Sequence, residues 1–175
     1  MTSLILFLIF CQVLGACTGV LTAVWGEVAY INAMHDGKID TAERTHLRSI
    51  EHGLRFGMTL LLLSSCAFVV VAYVLQGTPQ PALTPSYWIF TMLAFLIIGV
   101  SWALSRQRIS FGLGSAAALT AWWLLAYLVL GRLPISFGAA VALYIVLTAV
   151  IYAVLRLIRF FALDSTMKNI ALHKK

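Results

Sequence analysis

The sequence predicts an all-α membrane protein with five transmembrane helices, its N-terminus outside and its C-terminus cytoplasmic. Of its 175 residues, 62% are hydrophobic and only 10% are charged, whereas soluble domains carry roughly 25% charged residues. So few charges cannot cover a surface that faces water, and most side chains must therefore face lipid or other helices. We expect a multi-pass protein of the inner (plasma) membrane, built as a single domain over residues 1–175.

Five apolar segments are long enough to cross the hydrocarbon core, which takes roughly 20 residues of helix. They are apolar on all sides and do not alternate as barrel strands do. A proline-rich connection separates the second and third, and very short connections make the last three antiparallel neighbours. The predicted spans are 4–30, 54–75, 87–104, 109–130 and 133–161, with a capped cytoplasmic hairpin loop at 34–50 and a basic cytoplasmic tail at 162–175.

Lysine and arginine alternate between the connections in a way that sets the orientation. The first and third connections and the tail are rich in them, the second has none, and the fourth has only Arg132. The positive-inside rule then places the rich connections in the cytoplasm. The same rule explains the net charge of +6, and no basic stripe interleaved with exposed aromatics indicates nucleic acid.

Small residues inside the spans predict where helices pack closely, because lipid does not drive apolar helices together. Gly15, Gly19 and Gly26 form a stripe on the first span, and Gly112 and Gly114 open the fourth.

Basic residues close the fifth span. We predict that Arg156 and Arg159 face the lipid, where long cationic side chains reach the headgroups.

The stretch "MHDGKIDTAERTHL" is the most polar run of the chain and has two interpretations. As a hairpin, Gly37 ends one helix and Asp40 with Glu43 caps the next. As a calcium loop, Asn32, Asp36, Asp40 and Glu43 occupy ligand positions of a twelve-residue frame, although one position has methionine where an oxygen is needed. We favour the hairpin and keep a divalent cation as the alternative.

Glu27 is the acidic residue embedded in an apolar run, and ionisable groups inside a membrane are costly unless paired. We predict a structural pair between Glu27 and Arg55, which should lie at similar depth on the antiparallel second span. A role for Glu27 in handling protons or cations is the alternative.

Histidines on the cytoplasmic side offer a third candidate site. His46 and His52 are six residues apart, so they point to different faces of a helix and cannot jointly hold one metal. The first, third, fourth and fifth spans contain no histidine, which argues against a haem held by two histidines. We expect no cofactor, and keep a haem or metal at His46 or His52 as the alternative.

The first 75 residues resemble those of uncharacterised small polytopic inner-membrane proteins of bacteria. The resemblance lies in the small-rich first span with a late acidic residue (Gly15, Gly19, Glu27), the following "DGKIDTAE", and a second span with Gly53, Gly57 and "LLLLSS". It implies a bacterial inner-membrane location and does not indicate an activity.

No catalytic motif of the HExxH, GxSxG, Walker or CxxC kind occurs, so the sequence favours a protein that is not an enzyme. We predict a non-catalytic membrane subunit or assembly factor, whose partners are the lipid bilayer and either further copies of itself or other membrane subunits. The alternatives are a small oligomeric transporter or channel that uses Glu27, and a redox protein that binds haem or metal.

Overall fold

The described residues of the chain form five helices, and none of them lies in a strand. The helices are α1 (Thr2–Asp36), α2 (Thr41–Leu75), α3 (Pro85–Ser105), α4 (Phe111–Val129) and α5 (Phe137–His173). This computed structural model describes residues 2–36, 41–75, 84–131 and 136–173, and it describes side chains within 3–32, 50–74, 84–131 and 136–161.

Each helix contains a segment long and apolar enough to cross a membrane. These segments are Ser3–Asn32, Ile50–Val74, Pro85–Ser105, Phe111–Val129 and Phe137–Phe161. The architecture is therefore that of a multi-pass α-helical membrane protein.

Helices α1, α2 and α5 are longer than the predicted spans. Much of the segment predicted as a hairpin loop, 34–50, is helical, because α1 continues to Asp36 and α2 already begins at Thr41. Gly37 and Asp40, which were predicted to cap this turn, lie outside the described residues. The predicted tail continues α5 as far as His173.

Helices α1 and α2 lie antiparallel and touch through their backbones. A methyl group added at Gly57 would lie 2.9 Å from the carbonyl oxygen of Gly15 and 3.1 Å from the amide nitrogen of Gly19. One added at Gly26 would lie 3.3 Å from Ile50. Gly15 and Gly57 are thus required by close approach of the two backbones, whereas the neighbour of Gly26 is a side chain. Close contact at small residues is expected where they replace the hydrophobic driving force.

Helix α4 lies at the centre, in contact with α1, α3 and α5. Of the most apolar 18-residue stretch of α4, 56% is buried, whereas only 6% of the corresponding stretch of α5 is buried. A side chain at Gly19 would overlap the ring of the buried Trp122, and one at Gly114 would lie 2.5 Å from Leu104. Glycine on one helix therefore admits a large side chain from the next.

The turn after α3 has a defined geometry. The amide of Arg108 donates to the carbonyl of Ala103 (2.9 Å), and that of Gln107 donates to the carbonyl of Leu104 (3.0 Å). These two bonds, with Gln107 in the left-handed region at φ 54°, form a Schellman motif. The chain reverses within residues 106–110 and enters α4 at Phe111.

Gly57→Ala should destabilise the fold by about 1–3 kcal/mol, because the methyl group meets backbone atoms that cannot rotate away. Gly99→Ala is the matched control, since no atom lies within 4 Å of its added methyl group, and alanine favours helix over glycine. Unfolding titrations in mixed micelles would measure both. Equal changes in the free energy of unfolding would contradict the close contact between α1 and α2.

Candidate functional site

A buried ion pair joins the end of α1 to the end of the apolar part of α5. The Nη2 atom of Arg159 donates to Oε2 of Glu27 at 2.7 Å, and the two side chains are 14% and 10% exposed. A charge inside a membrane protein is costly unless it is paired, and here each charge compensates the other.

Helix α4 contributes the third partner. Nη2 of Arg159 also donates to Oγ of Ser115 at 2.9 Å, and the Ser115 hydroxyl donates to the carbonyl of Gly112 at 3.3 Å. A methyl group on Gly112 would lie 3.1 Å from Nη1 of Arg159. Gly112 therefore leaves room for the guanidinium, and one arginine connects α1, α4 and α5.

Two aromatic rings that pack against each other lie beside the arginine. Its Cζ lies 5.1 Å from the ring centroid of Tyr30 and 5.4 Å from that of Phe111, and the two rings are 4.1 Å apart. Both distances are within the range of a cation–π contact. Nε of Arg159 is buried without a hydrogen-bond partner among the described residues. The cation–π contacts therefore replace part of the stabilisation that hydrogen bonds would otherwise give this charge.

All these residues meet at one end of the bundle, which we call the basic end. It consists of the C-terminal ends of α1, α3 and α5 with the N-terminal ends of α2 and α4. Antiparallel packing brings the end of α1 and of α5 beside the start of α4, as the contacts of Arg159 demonstrate. The arginines whose side chains the structure describes all belong to this end: Arg55, Arg106, Arg108, Arg156 and Arg159.

The predicted partner of Glu27 differs from the observed one. Arg55 pairs instead with Glu51 on its own helix, at 2.5 Å between Nη2 and Oε1. That pair is exposed, with side chains 73% and 56% accessible. Glu51 is four residues before Arg55 on the same helix, so Arg55 can pair with it without turning its side chain toward the bundle. Arg159 reaches Glu27 from α5 instead.

The prediction that both arginines of α5 face the lipid needs a correction for one of them. Arg156 is exposed, but Arg159 is enclosed by α1 and α4. The two residues are three apart, so their side chains leave the helix about 60° apart, and this angle turns one outward and the other to the carboxylate.

The cation loop, kept as the alternative to the hairpin, departs from its calcium-binding frame at the start. Asn32 and Asp36 lie in the continuous helix α1, with the Asn32 side chain exposed, whereas the first five positions of a calcium loop must wind around the ion. Asp40 is outside the described residues, and Glu43 is on α2 with its side chain outside the described part.

A haem or metal at His46 or His52 was the alternative kept for the histidines. His52 is exposed on α2, and the side chain of His46 lies outside the described part of the chain. Among the side chains that the structure does describe, no three of histidine, cysteine, aspartate and glutamate come together to hold a metal.

Sequence reasoning found Glu27 but missed Arg159 as its partner, together with Ser115, Tyr30 and Phe111. The available signal was that a buried acid needs a base at the same depth. Several arginines at the basic end satisfy that condition, and the choice among them depends on which helices are neighbours.

Comparison with models of known protein families, with curated protein sequences and with solved structures finds no match to this chain. The resemblance of its first 75 residues to small bacterial inner-membrane proteins therefore stays a prediction.

Glu27→Ala should lower the free energy of unfolding by about 3–5 kcal/mol, because it leaves the guanidinium of Arg159 buried without its counter-charge. Arg159→Ala should have a similar effect, and the double variant should lose less than the sum. Unfolding titrations of all four proteins in mixed micelles give the coupling energy.

The matched control is the exposed pair Glu51 and Arg55, for which the same cycle should give about 0–1 kcal/mol. A cycle between Glu27 and Arg55 should give no coupling. If that cycle gave the larger coupling, the pairing described above would be incorrect.

Proposed function

We propose that the protein is a non-catalytic subunit or assembly factor of a membrane complex, and that α5 receives a partner helix. The observation that carries this proposal is two pairs of small, exposed residues on one face of α5, with the exposed Ile145 between them, and we call the two pairs the outer stripe. Its members are Gly138, Ala142, Ala149 and Ala153.

The spacing of the outer stripe places its members on one face. They follow Gly138 by four, eleven and fifteen residues, close to whole turns of about 3.6 residues. The pairs Gly138–Ala142 and Ala149–Ala153 each have the small-xxx-small spacing typical of helix interfaces in membranes.

Packing within the chain does not account for the glycine of this stripe. An added methyl group at Gly138 would meet no atom within 4 Å, whereas at Gly15, Gly57 and Gly114 it would meet a neighbouring helix within about 3 Å. The inner glycines thus have a partner in this chain. The outer stripe is also rich in small residues, but no described helix of this chain packs on Gly138. This favours a contact with a helix from another chain.

The exposure of α5 supports the same conclusion. Only 6% of its most apolar stretch is buried, less than in any of the other four helices. A helix that contributes so little to its own bundle has most of its surface available to a partner or to lipid.

The ion pair makes a transporter or channel the weaker alternative. A cation or proton site would need the carboxylate of Glu27 to be available, but Arg159 already supplies its counter-charge at 2.7 Å. A carboxylate so paired attracts a second cation less. No contact among the described residues favours haem, so the subunit stays our proposal.

The orientation is part of this proposal. We expect the basic end to lie in the cytoplasm of a bacterium, with the N-terminus outside the inner membrane, because cytoplasmic connections are enriched in lysine and arginine.

Ala149→Phe should weaken the association between this protein and its partner chain roughly tenfold relative to wild type, because a bulky ring at a close helix contact costs about 1–3 kcal/mol. Val154→Phe is the control, since Val154 is 48% exposed and lies off the stripe on the same helix. Native mass spectrometry from gentle detergent would show whether each protein carries a second chain beyond 19.2 kDa.

The expected outcome is a complex for the wild type and for the control, and a single chain for Ala149→Phe. A wild-type protein that is always a single chain, or equal loss in both variants, would remove the support for a partner helix.

A reporter protein that is active only in the cytoplasm, fused after Lys175, should be active, because the arginines and lysines of the basic end hold that end inside. The same reporter fused to a chain that ends at Gly131 should be inactive. The opposite pair of results would reverse the proposed orientation.

A further inference from the structure

The turn between α3 and α4 brings two arginines onto one tryptophan. The Cζ atoms of Arg106 and Arg108 lie 5.3 and 5.2 Å from the ring centroid of Trp102, within cation–π range. We propose that these three residues form a binding site for the phosphate headgroup of an anionic phospholipid. This goes beyond the proposed function and uses no residue of the ion pair or of the outer stripe.

The turn holds the two arginines in place. Its Schellman bonds join Arg108 to Ala103 and Gln107 to Leu104. Gln107 adopts the left-handed conformation between the arginines, so the chain folds back and both guanidiniums return to the residue one turn earlier. Long cationic side chains normally lose much freedom on binding a ligand, and stacking on the indole has already restricted them here.

Neither of these two arginines is paired with a carboxylate among the side chains that the structure describes. The ion pairs among the described residues are Arg55–Glu51 and Arg159–Glu27, and neither includes Arg106 or Arg108. Both of these arginines are exposed, and Trp102 is 50% exposed. Arg159, by contrast, is enclosed and already has a carboxylate. Two guanidiniums that no described carboxylate neutralises are suited to phosphate, which accepts hydrogen bonds from their planar N–H groups.

The position of the site favours a lipid as the source of that phosphate. Trp102 belongs to the last turn of the membrane-crossing segment Pro85–Ser105, and tryptophan is enriched where such segments meet the headgroups. The indole can pack against the glycerol region while the arginines reach the phosphate above it. Basic side chains next to a membrane attract anionic lipids in particular.

The test compares lipid retention by the full-length protein in native mass spectra, with phosphatidylglycerol, phosphatidylcholine and inorganic phosphate as probes. The wild type should retain phosphatidylglycerol in preference to phosphatidylcholine. Arg106→Ala/Arg108→Ala should reduce that preference about tenfold or more, because it removes both guanidiniums that would contact the phosphate. Trp102→Leu, which keeps both charges, should reduce it severalfold.

The matched control is Arg55→Ala/Arg156→Ala, which removes the same charge from exposed positions at the same end. It should leave the preference within about twofold of wild type, if the site and not the total charge determines binding. Equal loss in the control, or no preference in the wild type, would overturn the proposal. Displacement of the lipid by millimolar inorganic phosphate would overturn the assignment to a lipid.

Discussion

Close backbone contact through glycine is the constraint on which the rest of this bundle depends. In a bilayer, apolar helices gain nothing by hiding from lipid that is equally apolar, so dispersion contacts at short range must hold them together. Gly15 and Gly57 bring the backbones of α1 and α2 together, and Gly19 accepts the ring of Trp122. With these contacts in place, α1 lies between α2 and α4, and α4 can fill the centre of the bundle.

That packing brings the charges of three helices to one place. Glu27 and Arg159 are 132 residues apart in the chain, and Ser115 and Gly112 on α4 complete their surroundings. A pair so enclosed gives specificity more readily than net stability, because removing two charges from water is costly. We interpret it as the device that fixes how α5 sits against α1 and α4, since an apolar helix alone could turn or slide.

Two surfaces remain that the bundle itself does not use. The outer stripe on α5 is small and apolar, which suits another helix. The arginines of the α3–α4 turn are charged and stacked on tryptophan, which suits the headgroup of a lipid. They lie on different elements, so a complex and a bound lipid are compatible with each other.

The sequence alone was sufficient for five helices long enough to cross a membrane, because apolar runs are properties of consecutive residues. It was also sufficient for the small residues that pack and for Glu27 as a buried charge. Only the tertiary structure decided that Arg159 and not Arg55 compensates Glu27, and that two arginines share Trp102. The physical reason is that depth in the membrane can be counted along a chain, whereas the neighbours of a helix depend on how all the helices pack.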